Sequence, residues 1–221
     1  MATNWIAENI VEIFGAVTGI AYVILEIRRN ILLWPLGIIT SAVYIYVFGR
    51  EGFYANMGLQ VYYLVISIYG WYAWRRTQNN DTGIARRASR IVGPGDPPSS
   101  LPTGNIDGAP GTDVRRIDRL TAVWCIFTAV ALWAILWFIL GRATDSQIPL
   151  WDGLIASLSV VATWMLTRKY LEQWYVWIFA NAIAVAVYLA SGLYPTAVLF
   201  FVYFGMAIIG LIKWGKQPLN N

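Results

Sequence analysis

Seven apolar stretches dominate this sequence, and each is long enough to cross a lipid bilayer as an α-helix. A helix needs about 20 predominantly apolar residues, with a range of about 17–25, to span the hydrocarbon core. Because that core offers no water to an open backbone, spanning stretches of this kind are helical. The sequence therefore predicts an all-α membrane protein with seven transmembrane helices, at residues 10–27, 31–48, 54–74, 120–140, 151–167, 175–191 and 196–214.

Residue composition argues against most catalytic chemistry. Charged residues make up 13% of the chain, which is about half of the share that soluble domains carry. Histidine is absent, which removes the usual general base and zinc ligand. Cys125 is the one thiol, so neither an internal disulfide nor a cysteine metal cluster can form. We therefore expect no enzyme activity, no catalytic residue, no metal and no cofactor.

Basic residues are distributed unequally between the two sides of the predicted bundle. Fourteen of the 16 lysines and arginines lie on the side that holds the C-terminus and the connections after spans one, three and five. Arg50 and Arg142 lie on the other side. The positive-inside rule then predicts an N-terminus outside the cell and a C-terminus in the cytoplasm. The net charge of +4 is explained in this way without a nucleic-acid partner.

The chain between the third and fourth spans differs in composition from the rest. Residues 93–111 hold five of the nine prolines, together with several glycines and serines. Such a composition cannot bury enough apolar surface to offset the entropy lost on ordering. Residues 75–119 are therefore predicted to form a flexible cytoplasmic linker.

The first three and the last three spans share residues at equivalent positions. When residues 12–74 are compared with residues 152–214, 13 of the 63 positions are identical. Among the matches are Arg28 with Arg168, Trp34 with Trp174, Tyr63 with Tyr203, Gly70 with Gly210, and Trp74 with Trp214. Because one span, at residues 120–140, separates the two units, both enter the membrane from the same side. We predict a 3+1+3 arrangement in which residues 1–74 and 151–214 form parallel three-helix repeats.

Four short motifs at the ends of these helices resemble those of a known family. They are Trp34-Pro35-Leu36-Gly37, residues 54–60 (YANMGLQ), residues 70–74 (GWYAW), and residues 174–177 (WYVW) followed by Asn181. With these motifs the chain resembles the PnuC vitamin transporters, whose three-plus-one-plus-three helices are similar to those of the SWEET sugar transporters. The long proline- and glycine-rich linker departs from the compact pattern of that family.

The resemblance implies uptake of a B-vitamin precursor by facilitated diffusion across the bacterial inner membrane. Nicotinamide riboside is the first candidate substrate and thiamine the second, while a further branch of the family carries riboflavin. Family members form homotrimers, so a homotrimer in the lipid bilayer is implied here as well. Two alternatives are a sugar facilitator of the SWEET type and a seven-helix retinal photoreceptor, for which Lys213 lies at the wrong end of the last span.

Polar and aromatic side chains inside the spans are the predicted substrate-binding residues, because a polar group in a span usually faces the bundle interior. The predicted set is Asn56, Gln60, Tyr63, Thr163, Trp177, Asn181, Tyr188 and Tyr203. Helical spacing places the members from helix three on one stripe and those from helix six on one face. A tryptophan face attracts a cationic heteroaromatic ring by about 0.5–2 kcal/mol. Asparagine and glutamine match the hydroxyl and amide groups of such a ligand.

Structural roles compete with ligand binding at several positions. Interhelical hydrogen bonding accounts equally well for Gln60, and anchoring at the membrane interface is the favoured interpretation of Trp34 and Trp174. Glu26 precedes two arginines near the end of the first span and is predicted to be interfacial. The glycine motif of residues 15–19 (GAVTG) predicts a close contact between helices.

Overall fold

The computed structural model describes residues 10–51, 54–91, 114–143, 148–217 and 219–220. In chain order the elements are α1 (Ile10–Ile27), α2 (Leu33–Glu51), α3 (Tyr54–Ile91), β1 (Val114–Arg115), α4 (Arg119–Ala143), α5 (Pro149–Thr167), α6 (Gln173–Ala190), α7 (Tyr194–Gly215) and β2 (Leu219–Asn220). The predicted all-helical class with seven helices is thus confirmed for the described residues, and most helix ends lie within three residues of the predicted spans.

Five of the helices, α2, α4, α5, α6 and α7, are long and apolar enough to cross a membrane. The described apolar stretch of α1 is shorter, at Ile13–Ile27. α3 is apolar only in its first part, because the residues that follow Trp74 are mostly polar or charged. That α1 and the first part of α3 also cross the membrane stays a prediction.

The ends of the predicted flexible linker have regular structure. α3 continues to Ile91, and no proline, which would interrupt it, occurs in residues 54–93. At the other end the backbone of Arg115 is held on both sides. Its N–H donates to the Lys169 carbonyl at 3.0 Å, and its carbonyl accepts from the Leu171 N–H at 3.0 Å. A helix and a short strand thus occupy part of residues 75–119, and residues 92–113 lie outside the described residues.

Two buried tryptophan pairs form the core at one end of the bundle. Trp34 of α2 packs edge-on against Trp74 of α3, with ring centroids 5.4 Å apart and planes at 87°. Trp174 of α6 packs against Trp214 of α7 in the same way, at 5.5 Å and 82°. None of the four rings is more than 2% exposed. The prediction that Trp34 and Trp174 anchor the protein at the membrane interface is therefore wrong, because neighbouring helices enclose both rings.

A glycine makes room for one indole ring of each pair. A Cβ atom built on Gly70 of α3 would lie 2.5 Å from the Trp34 ring, and one built on Gly210 of α7 would lie 2.5 Å from the Trp174 ring. Real Cβ atoms do not approach other atoms so closely. The pair α2–α3 and the pair α6–α7 therefore pack through the same contact of a tryptophan on a glycine.

The turns between α1 and α2 and between α5 and α6 share one backbone geometry. Arg29 has a φ of +52° and Lys169 a φ of +59°, in the left-handed region that residues other than glycine rarely adopt. The N–H of each residue donates to a carbonyl three positions earlier, that of Glu26 or of Leu166, at 2.9 Å in both turns.

Six helices surround a common interior and α4 lies outside it. α1 contacts α2 and α7, α3 contacts α2 and α5, and α6 contacts α5 and α7, whereas α4 packs mainly along α5. The indole N–H of Trp133 in α4 donates to the Leu150 carbonyl at 3.0 Å. Phe127 and Trp137 of α4 are more than half exposed. An apolar surface of this kind suits lipid as its solvent.

Candidate functional site

A cavity of about 300 Å³ lies between the six helices other than α4. Hydroxyl, amide and indole groups from all six helices line it. Ligand pockets usually have volumes of about 300–1,000 Å³ and combine apolar walls with a few polar groups. This cavity therefore has the size and the lining of a site for one small molecule.

Most of the predicted substrate-binding residues meet in this cavity. Its lining includes Gln60, Tyr63, Thr163, Trp177, Asn181 and Tyr203. They come from α3, α5, α6 and α7, so the packing of the bundle brings together residues that are distant in sequence. The other two predicted residues are not part of the lining. Asn56 is exposed in the first turn of α3, and Tyr188 packs against Phe200 with ring centroids 5.2 Å apart.

α6 contributes Trp177 and Asn181, which lie one helical turn apart and therefore face the same way. Asn181 is 6% exposed. Among the described residues, the buried indole N–H of Trp177 has no hydrogen-bond partner. A buried donor left without a partner costs about 1–3 kcal/mol. A ligand acceptor placed next to Trp177 would therefore satisfy a group that the protein leaves unsatisfied.

Several side chains with hydroxyl groups line the cavity, among them Thr18, Ser159 and Thr163. Ser159 donates its hydroxyl proton to the Ile155 carbonyl, and Thr163 donates to the Ser159 carbonyl, both at 2.8 Å. Thr18 of α1 donates to the Phe14 carbonyl at 2.7 Å. Because each proton is used within its own helix, these oxygens are left to act as acceptors. They suit a ligand that carries hydroxyl or amide donors.

α1 lines the cavity along one face, although none of the predicted substrate-binding residues belongs to α1. Gly15, Gly19 and Glu26 all border it, at spacings of four and seven residues that fit a single helical face. The two glycines do lie at a close contact between helices, as predicted, and tyrosine side chains form it. A Cβ atom on Gly15 would overlap the hydroxyl of Tyr44, and one on Gly19 would overlap that of Tyr203. The sequence signal for this face was that position 26 lies on the same side of the helix as Gly15 and Gly19.

Glu26 is the one acidic or basic residue among the described residues that line the cavity. Its side chain is only 2% exposed, so the prediction of an interfacial position is wrong. The reason is that Glu26 lies on the face of α1 that borders the cavity, together with Gly15 and Gly19, whereas Arg28, just beyond the end of the helix, is exposed. Among the described residues, the Oε1 atom of Glu26 has no hydrogen-bond partner.

The tryptophan core closes one end of the cavity. Trp174 belongs both to the buried core cluster and to the cavity lining. The same cluster includes Leu171 and the completely buried Val114 of β1. The chain that leads into α4 is therefore part of the wall behind the tryptophans.

The sequence profile of one family, described as nicotinamide mononucleotide transporter, matches residues 9–216. The chain belongs to this family. Its relatives include the nicotinamide riboside transporter PnuC of Escherichia coli K12, which is 26% identical over 213 residues and aligns with 92% of this chain and 84% of its own length. The nicotinamide riboside transporter PnuC of Neisseria mucosa is 23% identical over 220 residues, with coverage of 96% and 73%.

Two further comparisons agree with membership of the PnuC family. The riboflavin/roseoflavin transporter RibM of Streptomyces davaonensis is 22% identical over 207 residues, with coverage of 92% of this chain and 83% of its own. The crystal structure of the vitamin B3 transporter PnuC shares the fold, with a TM-score of 0.64 at 19% identity over 95% of this chain and 82% of that one. The relatives are transporters and not enzymes. The resemblance to PnuC proteins is thus confirmed, and the chain is a multi-pass membrane transporter of that family.

Proposed function

We propose that this PnuC-family protein carries a B-vitamin precursor across the bacterial inner membrane by facilitated diffusion. Nicotinamide riboside is the proposed substrate and thiamine the next candidate. The observation that carries the proposal is the cavity in which Trp177 and Asn181 lie one helical turn apart. An indole face stacks on a cationic heteroaromatic ring, and an amide bonds to both donors and acceptors of the ligand. Two relatives named as nicotinamide riboside transporters support this substrate class.

A riboflavin transporter is the second candidate, because one relative is named for riboflavin and roseoflavin. The same stacking surface suits the flat ring system of riboflavin. The sugar facilitator and the retinal photoreceptor receive no support, since the relatives reported above belong to neither class.

Uptake by proteoliposomes that contain the purified protein tests the proposal. Labelled nicotinamide riboside is expected to equilibrate across the membrane without an ion gradient. Unlabelled nicotinamide riboside and thiamine are expected to compete, and glucose is not. A thermal-shift measurement provides an independent readout, because a ligand that binds only the folded protein raises its melting temperature. Competition by glucose alone would contradict the proposal.

The proposed architecture is a 3+1+3 bundle in which residues 1–74 and 151–214 are parallel repeats and the helix of residues 120–140 joins them. Equivalent geometry in the two halves supports it. Each half has a tryptophan pair at nearly the same distance and angle and a tryptophan on a glycine. Each also has a turn with a basic residue at positive φ. Parallel repeats of this kind hold substrate between the two halves near the membrane midplane.

Parallel repeats predict that Arg28 and Arg168 lie on one face of the membrane, with the N-terminus outside and the C-terminus in the cytoplasm. Both side chains are exposed, so single cysteines at these positions, in a chain with Cys125→Ser, can be labelled. Arg28→Cys and Arg168→Cys are expected to react with a membrane-impermeant maleimide only after the cells are permeabilised. Arg50→Cys, the matched control, is expected to react in intact cells. Labelling of positions 28 and 168 from opposite faces would exclude parallel repeats.

A homotrimer, which the family resemblance implies, is the proposed assembly. The exposed apolar surface of α4 is available to a neighbouring protomer as well as to lipid. Native mass spectrometry from detergent measures the number of protomers directly, and a monomeric mass would contradict this assignment.

A further inference from the structure

Glu26 carries the one carboxyl group among the described residues that line the cavity, and none of these residues is basic. The other described residues of the lining are glycine, alanine, valine, serine, threonine, glutamine, asparagine and aromatic residues. In its ionised form, Glu26 is therefore the described residue that would set the electrostatic potential of the cavity. Because the surrounding bundle has a low dielectric constant, this charge acts more strongly on a ligand than the same charge would in water.

The protein leaves this carboxylate without a charge partner in the cavity. Glu26 is 2% exposed, and no lysine or arginine is among the described residues of the lining. The Trp177 indole lines the same cavity and interacts with the carboxyl group. The two do not reach hydrogen-bond geometry, since Trp177 Nε1 and Glu26 Oε1 both lack a partner among the described residues. Buried charges in proteins are normally paired with an opposite charge. A cationic ligand would supply the opposite charge that the described residues of the lining do not supply.

We propose that Glu26 is the specificity-determining residue that makes the cavity select ligands with a cationic heteroaromatic ring. This inference rests on the proposed function and narrows its substrate class. The ligand ring lies on the Trp177 indole, and the Glu26 carboxylate next to it neutralises the positive charge of the ring. Nicotinamide riboside and thiamine carry such a ring, whereas riboflavin and sugars do not. The pairing therefore favours the first two substrates over the others.

Nicotinamide riboside and its reduced form provide a matched pair of probes. Reduction adds a hydride to the pyridinium ring, which removes the positive charge and leaves the ribose and the amide unchanged. Calorimetry with the purified full-length protein is expected to show tighter binding of the cationic form. Glu26→Gln, which keeps the size and loses the charge, is expected to weaken binding of the cationic form about tenfold or more, because a charge-assisted contact is lost. Affinity for the reduced form is expected to change by less than about twofold, since a neutral ring makes no such contact.

Two further variants separate charge selection from a structural role. Glu172→Gln removes a carboxylate outside the cavity, one that accepts a hydrogen bond from the Ile117 N–H at 3.1 Å, and is expected to leave both affinities unchanged. Glu26→Asp keeps the charge and is expected to keep the preference for the cationic form. It also provides the test if Glu26→Gln does not fold.

The possible outcomes distinguish this inference from the proposed function. Equal losses for both ligand forms in Glu26→Gln would overturn the inference and leave the transport function standing. Equal affinity of the unmodified protein for both forms would overturn it too. If the unmodified protein bound neither form, the proposed substrate would fail. Charge selection would then be tested by comparing the affinities for thiamine, which is cationic, and for riboflavin, which is neutral. Equal affinities for the two would overturn the inference.

Discussion

Alanine at Gly70 and at Gly210 is expected to destabilise the protein by about 1–3 kcal/mol at each site, since overpacking of a filled core has this effect. The new methyl group would lie 2.5 Å from the ring of Trp34 or of Trp174. Neither ring has room to move away, because each is at most 1% exposed and packs edge-on against a second tryptophan. Unfolding in mixed micelles measures the change in free energy.

The same helices contain the matched controls. A Cβ atom on Gly58 of α3 or on Gly205 of α7 would meet no atom within 4 Å. Alanine at these two sites is expected to be neutral or stabilising by up to about 1 kcal/mol, because alanine is the better helix former. Equal stability of the Gly70→Ala and Gly58→Ala variants would show that the ring of Trp34 is not held as described.

Trp177→Ala and Asn181→Ala are each expected to weaken substrate binding about tenfold, and the double variant about a hundredfold, without unfolding the protein. The first change removes a stacking and cation–π surface worth about 0.5–2 kcal/mol. The second removes a nearly buried amide, and a ligand group left without its hydrogen-bond partner costs about 1–3 kcal/mol. Calorimetric titration of the purified variants with nicotinamide riboside measures both effects.

Asn56→Ala and Trp137→Ala are the controls for these changes. Both side chains are exposed and neither borders the cavity, so affinity is expected to stay within about twofold of its original value, as for most exposed contacts. Unchanged affinity in a folded Trp177→Ala and Asn181→Ala double variant would remove α6 from the site.

The length of the apolar stretches was sufficient to locate the helices. Residue type was not sufficient to predict the surroundings of the Trp34 and Trp174 rings. The seven stretches predicted the seven helices because a bilayer admits few other backbone solutions. Trp34 and Trp174 were assigned to the interface because tryptophan is common there. Their burial depends on Gly70 and Gly210, more than 35 positions away in sequence. A pairing of this kind follows only from the contact between two helices.

For the predicted site, helical spacing determined which residues share a face of a helix, but not how deeply each residue is buried. Gln60, Trp177 and Asn181 were predicted to face the interior because polar residues in a span usually do, and all three line one cavity. Helical spacing defines a face and not its depth, so Asn56 shares the stripe of Gln60 and yet is exposed in the first turn of α3. Glu26 lines the same cavity but was predicted to lie at the membrane interface. Its basic neighbours indicate a membrane surface, although its side chain points inward.

The two turns that contain left-handed residues are occupied by basic residues and not by glycine. Arg29 and Lys169 occupy a backbone conformation that costs a residue other than glycine about 1–3 kcal/mol. The backbone conformation alone would therefore favour glycine in both turns. A basic residue instead stands at the equivalent place in each half. At Lys169 the packing of the side chain offsets the backbone cost, because the residue is 6% exposed and its ammonium group lies 4.9 Å from the centroid of the Trp74 ring. Glycine at position 169 would relax the backbone and lose this contact between the turn and the tryptophan core.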